Sequence, residues 1–195
     1  MFTGIITHTG TVVDKKRNTL AIYAGRDILR ALKKGGSIAV DGVCLTVTAK
    51  NASSFSADVM SETFKRTDFS SLTAKSIVNL ELPATPRTFL SGHIVEGHID
   101  GVGTVKAIKK DGTQFTLSIS VPRELSRYIS PKGSVTVNGV SLTVISARPG
   151  SFSVGIIPHT WESTAFHTLK PSGPVNIEVD ILAKYVERFF RIKKI

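Results

Sequence analysis

The chain has 195 residues, a formal net charge of +10 at pH 7 and one cysteine. No apolar run approaches the roughly 18 residues of a membrane span, and the opening MFTGIITHTG lacks the basic flank and apolar stretch of a signal peptide. One cysteine allows no internal disulfide and is typical of a reducing cytoplasm. The basic residues are scattered in pairs without interleaved aromatic residues, so we interpret the charge as solvated surface; a nucleic-acid site rests on charge alone.

An internal repeat organises the chain. Residues 36–81 align with residues 133–178 at a constant offset of 97, and 18 of these 46 positions are identical. The opening segments match as well, because residues 4–12 align with residues 97–105 at an offset of 93. A repeat of this length indicates two copies of one fold unit. We therefore predict domains at residues 1–92 and 93–183, followed by a helical segment at residues 184–195.

Short apolar runs bounded by turn residues predict an all-β protein. Gly4 and Gly97 are expected in matching strands near the start of each copy. Asp41-Gly42 and Asn138-Gly139 each separate two apolar runs and suit a type I′ turn, so each predicts a β-hairpin. Asp111-Gly112 predicts another. Because many short strands leave exposed edges unless the sheet closes, each copy is expected to form a small barrel.

Helical patches are brief. They are predicted near residues 27–33, near residues 123–128 and at the C-terminus, where apolar residues of the segment 181–192 recur at helical spacing. These apolar residues are Leu182, Tyr185, Val186, Phe189 and Phe190. The aromatic face either packs on its own barrel or meets sister helices in an oligomer, and the sequence leaves both open.

Strand alternation separates a core face from a rim face in each repeated hairpin. Leu45 faces the core in the first copy, whereas Cys44 and Thr46 face the rim, where the second copy has Ser141 and Thr143. Short donors and acceptors on such a rim suit a flat heterocycle with carbonyl and N–H groups. A water-facing strand is the alternative interpretation.

The two copies differ at positions that could carry chemistry. His98 follows Gly97 where the first copy has Ile5, which makes His98 a general acid–base candidate; a structural histidine is the alternative. Cys44 is either a buried small hydrophobe or a nucleophile. Asp180 has no acidic counterpart in the first copy. The histidines lack metal-ligand spacing with Cys44, so we predict no metal site.

Four motifs together make the chain similar to the riboflavin synthase family of the α-chain type. They are the opening MFTGII, the twin G-x-x-LTV hairpins, SGH…GH-I-D at residues 91–100 and VNIEVD at residues 175–180. The resemblance covers essentially the whole chain. It implies two similar six-stranded Greek-key barrels and a C-terminal helix through which three subunits associate. It also implies that one 6,7-dimethyl-8-ribityllumazine transfers a four-carbon unit to another, giving riboflavin and 5-amino-6-ribitylaminouracil without a cofactor or metal.

The resemblance further implies an active site between the first barrel of one subunit and the second barrel of a neighbour. In the mechanism we expect, His98 removes a proton from the C7 methyl group of one lumazine. Cys44, Ser37 or water adds to the other lumazine. Ser141, Thr143 and Asp180 stabilise charge or move protons, and Phe2 covers the site.

Residue-by-residue transfer predicts lumazine contacts in both barrels. The first barrel would contribute Gly4, Ile5, Ile6, Cys44, Leu45, Thr46, Asp58, Val59, Met60, Ser61, Glu62 and Thr63. The second would contribute Gly97, His98, Ile99, Lys132, Ser141, Leu142, Thr143, Ile156, Ile157, Pro158, His159, Thr160 and Trp161. The contrast of Glu62 with His159 departs from the repeat.

A non-catalytic paralogue that binds lumazine or flavin is the alternative function. Such a protein is expected to lose reactive side chains, whereas this chain has Cys44 and His98. The expected partners are the lumazine substrate and two further copies of the chain in the cytoplasm, with lumazine synthase a further candidate. Neither nucleic acid nor a membrane is expected.

Overall fold

A computed structural model describes residues 1–16 and 18–192, so that residues 193–195 of the predicted C-terminal segment lie outside the described residues. Two closed antiparallel barrels of six strands each form the body of the protein. The first contains β1 His8–Lys16, β2 Thr19–Tyr23, β3 Ser37–Val40, β4 Val43–Lys50, β5 Ser54–Asp58 and β6 Ile77–Glu81. The second contains β7 Gly101–Asp111, β8 Gln114–Ser120, β9 Ser134–Val137, β10 Val140–Arg148, β11 Ser151–Ile156 and β12 Pro174–Val179.

Both barrels close in the same order. The ring runs β1-β2-β5-β4-β3-β6 in the first and β7-β8-β11-β10-β9-β12 in the second, so each strand has one counterpart in the other copy. Each barrel encloses its own apolar cluster, and Phe55 and Phe152 occupy equivalent buried positions. The predicted all-β class and the pair of six-stranded barrels are therefore confirmed.

Short helices connect the strands. They are α1 Arg26–Ala31, α2 Ser61–Arg66, α3 Arg123–Ser126 and α4 Pro158–Ser163, with 3₁₀ turns at Asp68–Ser70 and Ala165–Thr168. The sequence predicted α1 and α3 but missed α2 and α4. Neither missed helix has a buried residue, and a six-residue helix without a buried face leaves no apolar periodicity to detect.

The predicted type I′ turns lie where the two barrels meet. Asp41 and Gly42 have φ angles of 43° and 80°, and Asn138 and Gly139 have 45° and 78°. A Cβ atom on Gly42 would lie 2.7 Å from the backbone nitrogen of Gly139, and the reverse contact is the same. Glycine is therefore required in both turns for positive φ and for the close approach of the two barrels.

Two asparagines bind the barrels together reciprocally. The side-chain nitrogen of Asn79 donates to the Asn138 carbonyl at 2.9 Å, and that of Asn176 donates to the Asp41 carbonyl at 3.0 Å. Their side-chain oxygens accept backbone N–H groups from the 3₁₀ turns of the opposite copy. Each fully buried amide is satisfied across the interface, so its desolvation cost is offset by these hydrogen bonds.

The C-terminal helix α5, Ile181–Ile192, begins immediately after β12. Its polar side faces the second barrel, because Lys184 forms an ion pair with Asp100 at 2.7 Å and Glu187 forms another with Arg127 at 3.0 Å. The opposite side is apolar and between 54% and 70% exposed: Leu182, Tyr185, Val186, Phe189 and Phe190. Within one chain the aromatic face does not pack on its own barrel. Among the described residues, no helix is long and apolar enough to cross a membrane.

Candidate active site

Two extended segments that precede the barrels pair with each other and then diverge. Phe2 and Val95 exchange backbone hydrogen bonds of 2.7 and 3.2 Å, which sets residues 2–3 antiparallel to residues 93–95. Beyond this pair, the N–H of Ser141 donates to the Gly4 carbonyl at 2.8 Å, and the N–H of Cys44 donates to the Gly97 carbonyl at 2.9 Å. Each segment therefore lies on the rim of the opposite barrel.

This exchange corrects our grouping of the site residues. Sequence reasoning assigned Gly4, Ile5 and Ile6 to the first barrel's contacts, but Gly4 contacts Ser141 and Ile6 packs against the core of the second barrel. Likewise Ile99 packs against the core of the first barrel. The repeat alignment pairs equivalent residues of the two copies but does not reveal that each opening segment crosses to the other barrel.

The sequence predicted that Gly4 and Gly97 lie in strands, but neither residue is part of a strand. Their φ angles are +75° and +82°, in the left-handed region that favours glycine. A Cβ atom would lie 2.6 Å from the Cβ of Ser141 at Gly4, and 2.6 Å from the Cβ of Cys44 at Gly97. Glycine therefore lets the backbone approach the rim position that carries a thiol in the first barrel, Cys44, and a hydroxyl in the second, Ser141.

The first-barrel rim contains a cavity of about 160 Å³. Cys44 and His98 line it together, as the sequence predicted for residues of one site, and Thr63 contributes a hydroxyl. Cys44 is half-buried, whereas the His98 side chain is 71% exposed and has the Glu96 carboxylate 3.8 Å from its Nδ1. The rest of the lining comes from Val43, Arg66, Thr67, Gly97 and Ile99.

Arg66 is a cavity residue that sequence reasoning missed. Its Nε donates to Glu62 at 2.7 Å, one helical turn earlier in α2, and the nearby cation lowers the pKa of Glu62. In the second copy the aligned pair is His159 and Ser163, which lie 3.4 Å apart and carry no guanidinium. The contrast between Glu62 and His159 therefore extends to Arg66, which gives the Cys44 cavity a cation where the second copy has Ser163.

The second-barrel rim places Ser141 beside a histidine. Nδ1 of His93 lies 2.7 Å from Oγ of Ser141, and His93 is partly buried. Burial lowers the pKa of His93, while the negative charge of Asp180 opposes that shift. Ser141 therefore has an imidazole within hydrogen-bond distance on the second-barrel rim.

Asp180 also caps the N-terminus of the C-terminal helix. Its Oδ1 accepts the backbone N–H of Leu182 at 2.9 Å, which caps the first turn of α5. The same side chain thus acts electrostatically on His93 and fixes the start of the helix. Thr143 and Ser37 lie on the two rims: Thr143 is exposed, and Ser37 is half-buried opposite Thr46.

Several of the predicted contact residues have buried side chains. The side chains of Leu45, Val59, Leu142 and Ile156 are buried in the two barrel cores and do not face the rims. Phe2 is fully buried and packs against Ala39, Val95 and Cys44. It lies behind Cys44 as a wall rather than over it as a cover.

Other predicted residues are exposed or lie elsewhere. Asp58, Met60, Ser61, Glu62, Lys132, Ile157 and His159 are exposed, and Thr160 is half-buried. Trp161 stacks on Phe115 at 4.0 Å, and with Pro158 it lines a separate cavity of about 580 Å³. That cavity lies on the second barrel and shares no lining residue with the Cys44 cavity of the first.

Comparison with known proteins decides the family. The description "Lumazine binding domain" matches residues 3–83 and again residues 96–180. A riboflavin synthase of Actinobacillus pleuropneumoniae is 43% identical over 192 residues, covering 97% of this chain and 89% of the relative. A riboflavin synthase of Bacillus subtilis is 38% identical over 193 residues, with the same coverage.

The chain belongs to the riboflavin synthase family. Solved structures similar to this family member include LumP complexed with riboflavin, with a TM-score of 0.86, 26% identity and coverage of 92% of this chain and 99% of that one. LumP complexed with 6,7-dimethyl-8-(1'-D-ribityl) lumazine has a TM-score of 0.81, 25% identity and the same coverage.

Sequence analysis missed two buried glutamates of this riboflavin synthase family member, Glu81 and Glu178. Glu81 accepts the N–H groups of Thr3 and Gly4 at 2.7 and 3.0 Å. Glu178 accepts those of Glu96 and Gly97 at the same distances. The signal was present, because VNLE and VNIE close the two repeats and place a carboxylate in a strand that is otherwise buried.

Proposed function

We propose that the protein is a riboflavin synthase that converts two molecules of 6,7-dimethyl-8-ribityllumazine into riboflavin and 5-amino-6-ribitylaminouracil. One observation carries the proposal. Two rims with matching backbone geometry present unlike groups, Cys44 with His98 on one and Ser141 with His93 on the other. A dismutation needs this arrangement, because two identical molecules must be held alike and then react as donor and acceptor.

The chemistry we assign to these groups follows from their positions. His98 is exposed enough to reach a ligand and would take a proton from the C7 methyl group of one lumazine. Cys44 or Ser37 would add to the other lumazine, or would position a water that does. Ser141, Thr143 and Asp180 would stabilise charge or move protons on the second rim.

Binding would rely mainly on backbone and hydroxyl groups. The left-handed glycines bring the backbone of residues 4–6 and 97–99 close to each rim, and Thr46, Thr63 and Thr160 supply hydroxyls. Such groups suit the alternating donors and acceptors of a pyrimidine ring. Holding two rings in register contributes up to about 7–11 kcal/mol to lowering the barrier.

We propose further that three chains associate through α5. The exposed apolar face of α5 needs a cover, and three equivalent helices would bury that face against each other. Association would place the first barrel of one subunit opposite the second barrel of its neighbour, where the two lumazines would meet. The lone cysteine favours the cytoplasm as the place of reaction, and lumazine synthase remains a candidate partner on family grounds.

The proposal is tested by incubating the purified protein with 6,7-dimethyl-8-ribityllumazine alone. Riboflavin and 5-amino-6-ribitylaminouracil should accumulate in equal amounts, at half the rate at which lumazine disappears. Heat-denatured protein provides the control for spontaneous reaction. Tight lumazine binding without riboflavin formation would instead identify a non-catalytic binding protein, the second candidate function; the similar structure of LumP holds a bound lumazine.

A further inference from the structure

The carboxylate of Glu178 holds the segment that carries His98. Glu178 is only 2% exposed at the end of β12 in the second barrel. Its two oxygens accept the backbone N–H groups of Glu96 and Gly97 at 2.7 and 3.0 Å. Both donors lie outside the strands, so the side chain of Glu178 takes the place of a neighbouring strand as their acceptor.

The hydrogen bonds continue from this segment to the first barrel. Gly97 accepts the N–H of Cys44 through its carbonyl oxygen, and His98 follows directly in the same cavity. Gly97 is therefore held at its N–H by one barrel and at its carbonyl by the other. The distance between His98 and Cys44 depends on both attachments.

We propose that Glu178 is a positioning residue for the reaction, acting through Gly97 to place His98 against Cys44. This inference rests on the proposed function, since it assigns His98 the proton transfer. Its effect should appear in turnover, because a displacement of about 1 Å in a reacting group can lower the rate about a hundredfold.

Glu81 provides a matched control within the same chain. It accepts the N–H groups of Thr3 and Gly4 with the same geometry and also accepts the Thr3 hydroxyl at 2.7 Å. The residue that follows Gly4 is Ile5, which has no titratable group. Glu81 therefore orders a segment that can bind lumazine but carries no proton-transfer group.

A glutamine at either position keeps the shape but supplies one acceptor oxygen and one amino group where the carboxylate has two acceptors. We expect Glu178→Gln to lower kcat at least about tenfold, with KM within about threefold of the unmodified protein. Glu81→Gln should change KM more than kcat. Equal kcat in Glu178→Gln and the unmodified protein, or the same change of kcat and KM in both variants, would overturn the proposal.

A spectroscopic measurement tests the attachment without requiring any variant to be active. Burial raises the pKa of Glu178 to about 7, and the charged groups around it are Asp100, Lys184, Glu96 and His98. In ¹H–¹⁵N correlation spectra the chemical shift of the Gly97 amide proton should change near neutral pH as Glu178 ionises, both in the unmodified protein and in His98→Ala. Titration that disappears in His98→Ala would show that the histidine, not Glu178, is sensed, and would overturn the proposal.

The two experiments separate two kinds of failure. If the unmodified protein forms no riboflavin, the proposed function fails, while the Gly97 titration still decides whether Glu178 holds the segment. If riboflavin forms and Glu178→Gln turns over normally with its Gly97 amide no longer titrating, the attachment exists but does not position His98. That result rejects the inference and leaves the proposed function intact.

Discussion

Lys132 occupies a backbone conformation that its counterpart fills with glycine. Lys132 has a φ angle of +67°, and the aligned residue of the first copy, Gly35, has +80°. In both copies this residue donates its N–H to an equivalent strand carbonyl, of Val47 or Val144, at 2.8 Å. The turn therefore imposes the conformation, and a left-handed lysine costs about 1 kcal/mol. Positive φ also occurs at the aligned turn residues Lys75 and Ser172, so the contact of Lys132 with lumazine stays a prediction.

The variant Lys132→Gly should separate stability from binding. We expect the free energy of unfolding to stay the same or rise by up to about 1 kcal/mol, because glycine relieves the backbone strain. Lumazine affinity should fall, since the charged side chain is removed. Chemical denaturation and lumazine fluorescence titration measure the two quantities. A variant that binds lumazine normally would remove Lys132 from the site.

His98 and Cys44 should affect turnover far more than lumazine affinity. Loss of a general acid–base group typically costs a hundredfold or more, so we expect a fall of about 10²-fold in kcat for His98→Ala and a substantial fall for Cys44→Ser. Both variants should be compared at equal oligomeric state. His8→Ala, which removes an ion pair with Asp27 outside the Cys44 cavity, is the control and should turn over normally. Unchanged turnover in His98→Ala would refute its proposed role.

Among elements, α5 presents the most exposed apolar surface. Phe189 and Phe190 are each 70% exposed while Glu187 binds Arg127 on the barrel, so the helix is oriented with its aromatic side outward. The double variant Phe189→Ser/Phe190→Ser should lower the molar mass in light scattering from that of three chains to that of one. Arg188→Ser, an exposed substitution on the same helix, should leave the mass unchanged. A trimer that survives the double variant would require a different interface.

Elements with strong local signals were predictable from the sequence, and those that depend on the other copy were not. Asp41-Gly42 and Asn138-Gly139 specify their turns by local backbone preference. The alternation around Leu45 reports which face is buried. By contrast, the positions of Gly4 and Gly97 depend on contacts with residues far away in the chain, and periodicity carries no information on such contacts. His93 lies beside Ser141 only in the folded structure, so no local sequence signal identified it.

At the scale of the whole molecule, the interface between the barrels contains an acid pair. Asp41 and Asp68 line one cavity of about 550 Å³, where the second copy has Asn138 and Ala165. Burial and then the neighbouring Asp68 carboxylate raise the pKa of Asp41 well above its ordinary value, and burial raises the pKa of Asp68 to about 7. Within the described residues, Oδ1 of Asp68 has no hydrogen-bond partner.

These raised pKa values predict that stability falls with pH. The folded protein binds the protons more tightly than the unfolded chain, so the free energy of unfolding should fall from about pH 4 to about pH 7. Asp41→Asn and Asp68→Ala introduce the residues of the other copy, and each should flatten this decline by about 1 kcal/mol or more, one pKa unit being about 1.4 kcal/mol. Denaturation at several pH values measures the slope. Parallel curves for the variants and the unmodified protein would show that the pair does not titrate in this range.

The central claim is that two unlike rims on neighbouring subunits act together on one pair of lumazines. Mixing two variants with impaired turnover, unfolding them together and refolding them tests it most directly. His98→Ala damages only the first-barrel rim, and Ser141→Ala damages only the second. Hybrid trimers join an intact first barrel from one chain to an intact second barrel from the other, so riboflavin formation should return on mixing. A mixture as inactive as either variant alone would contradict the account.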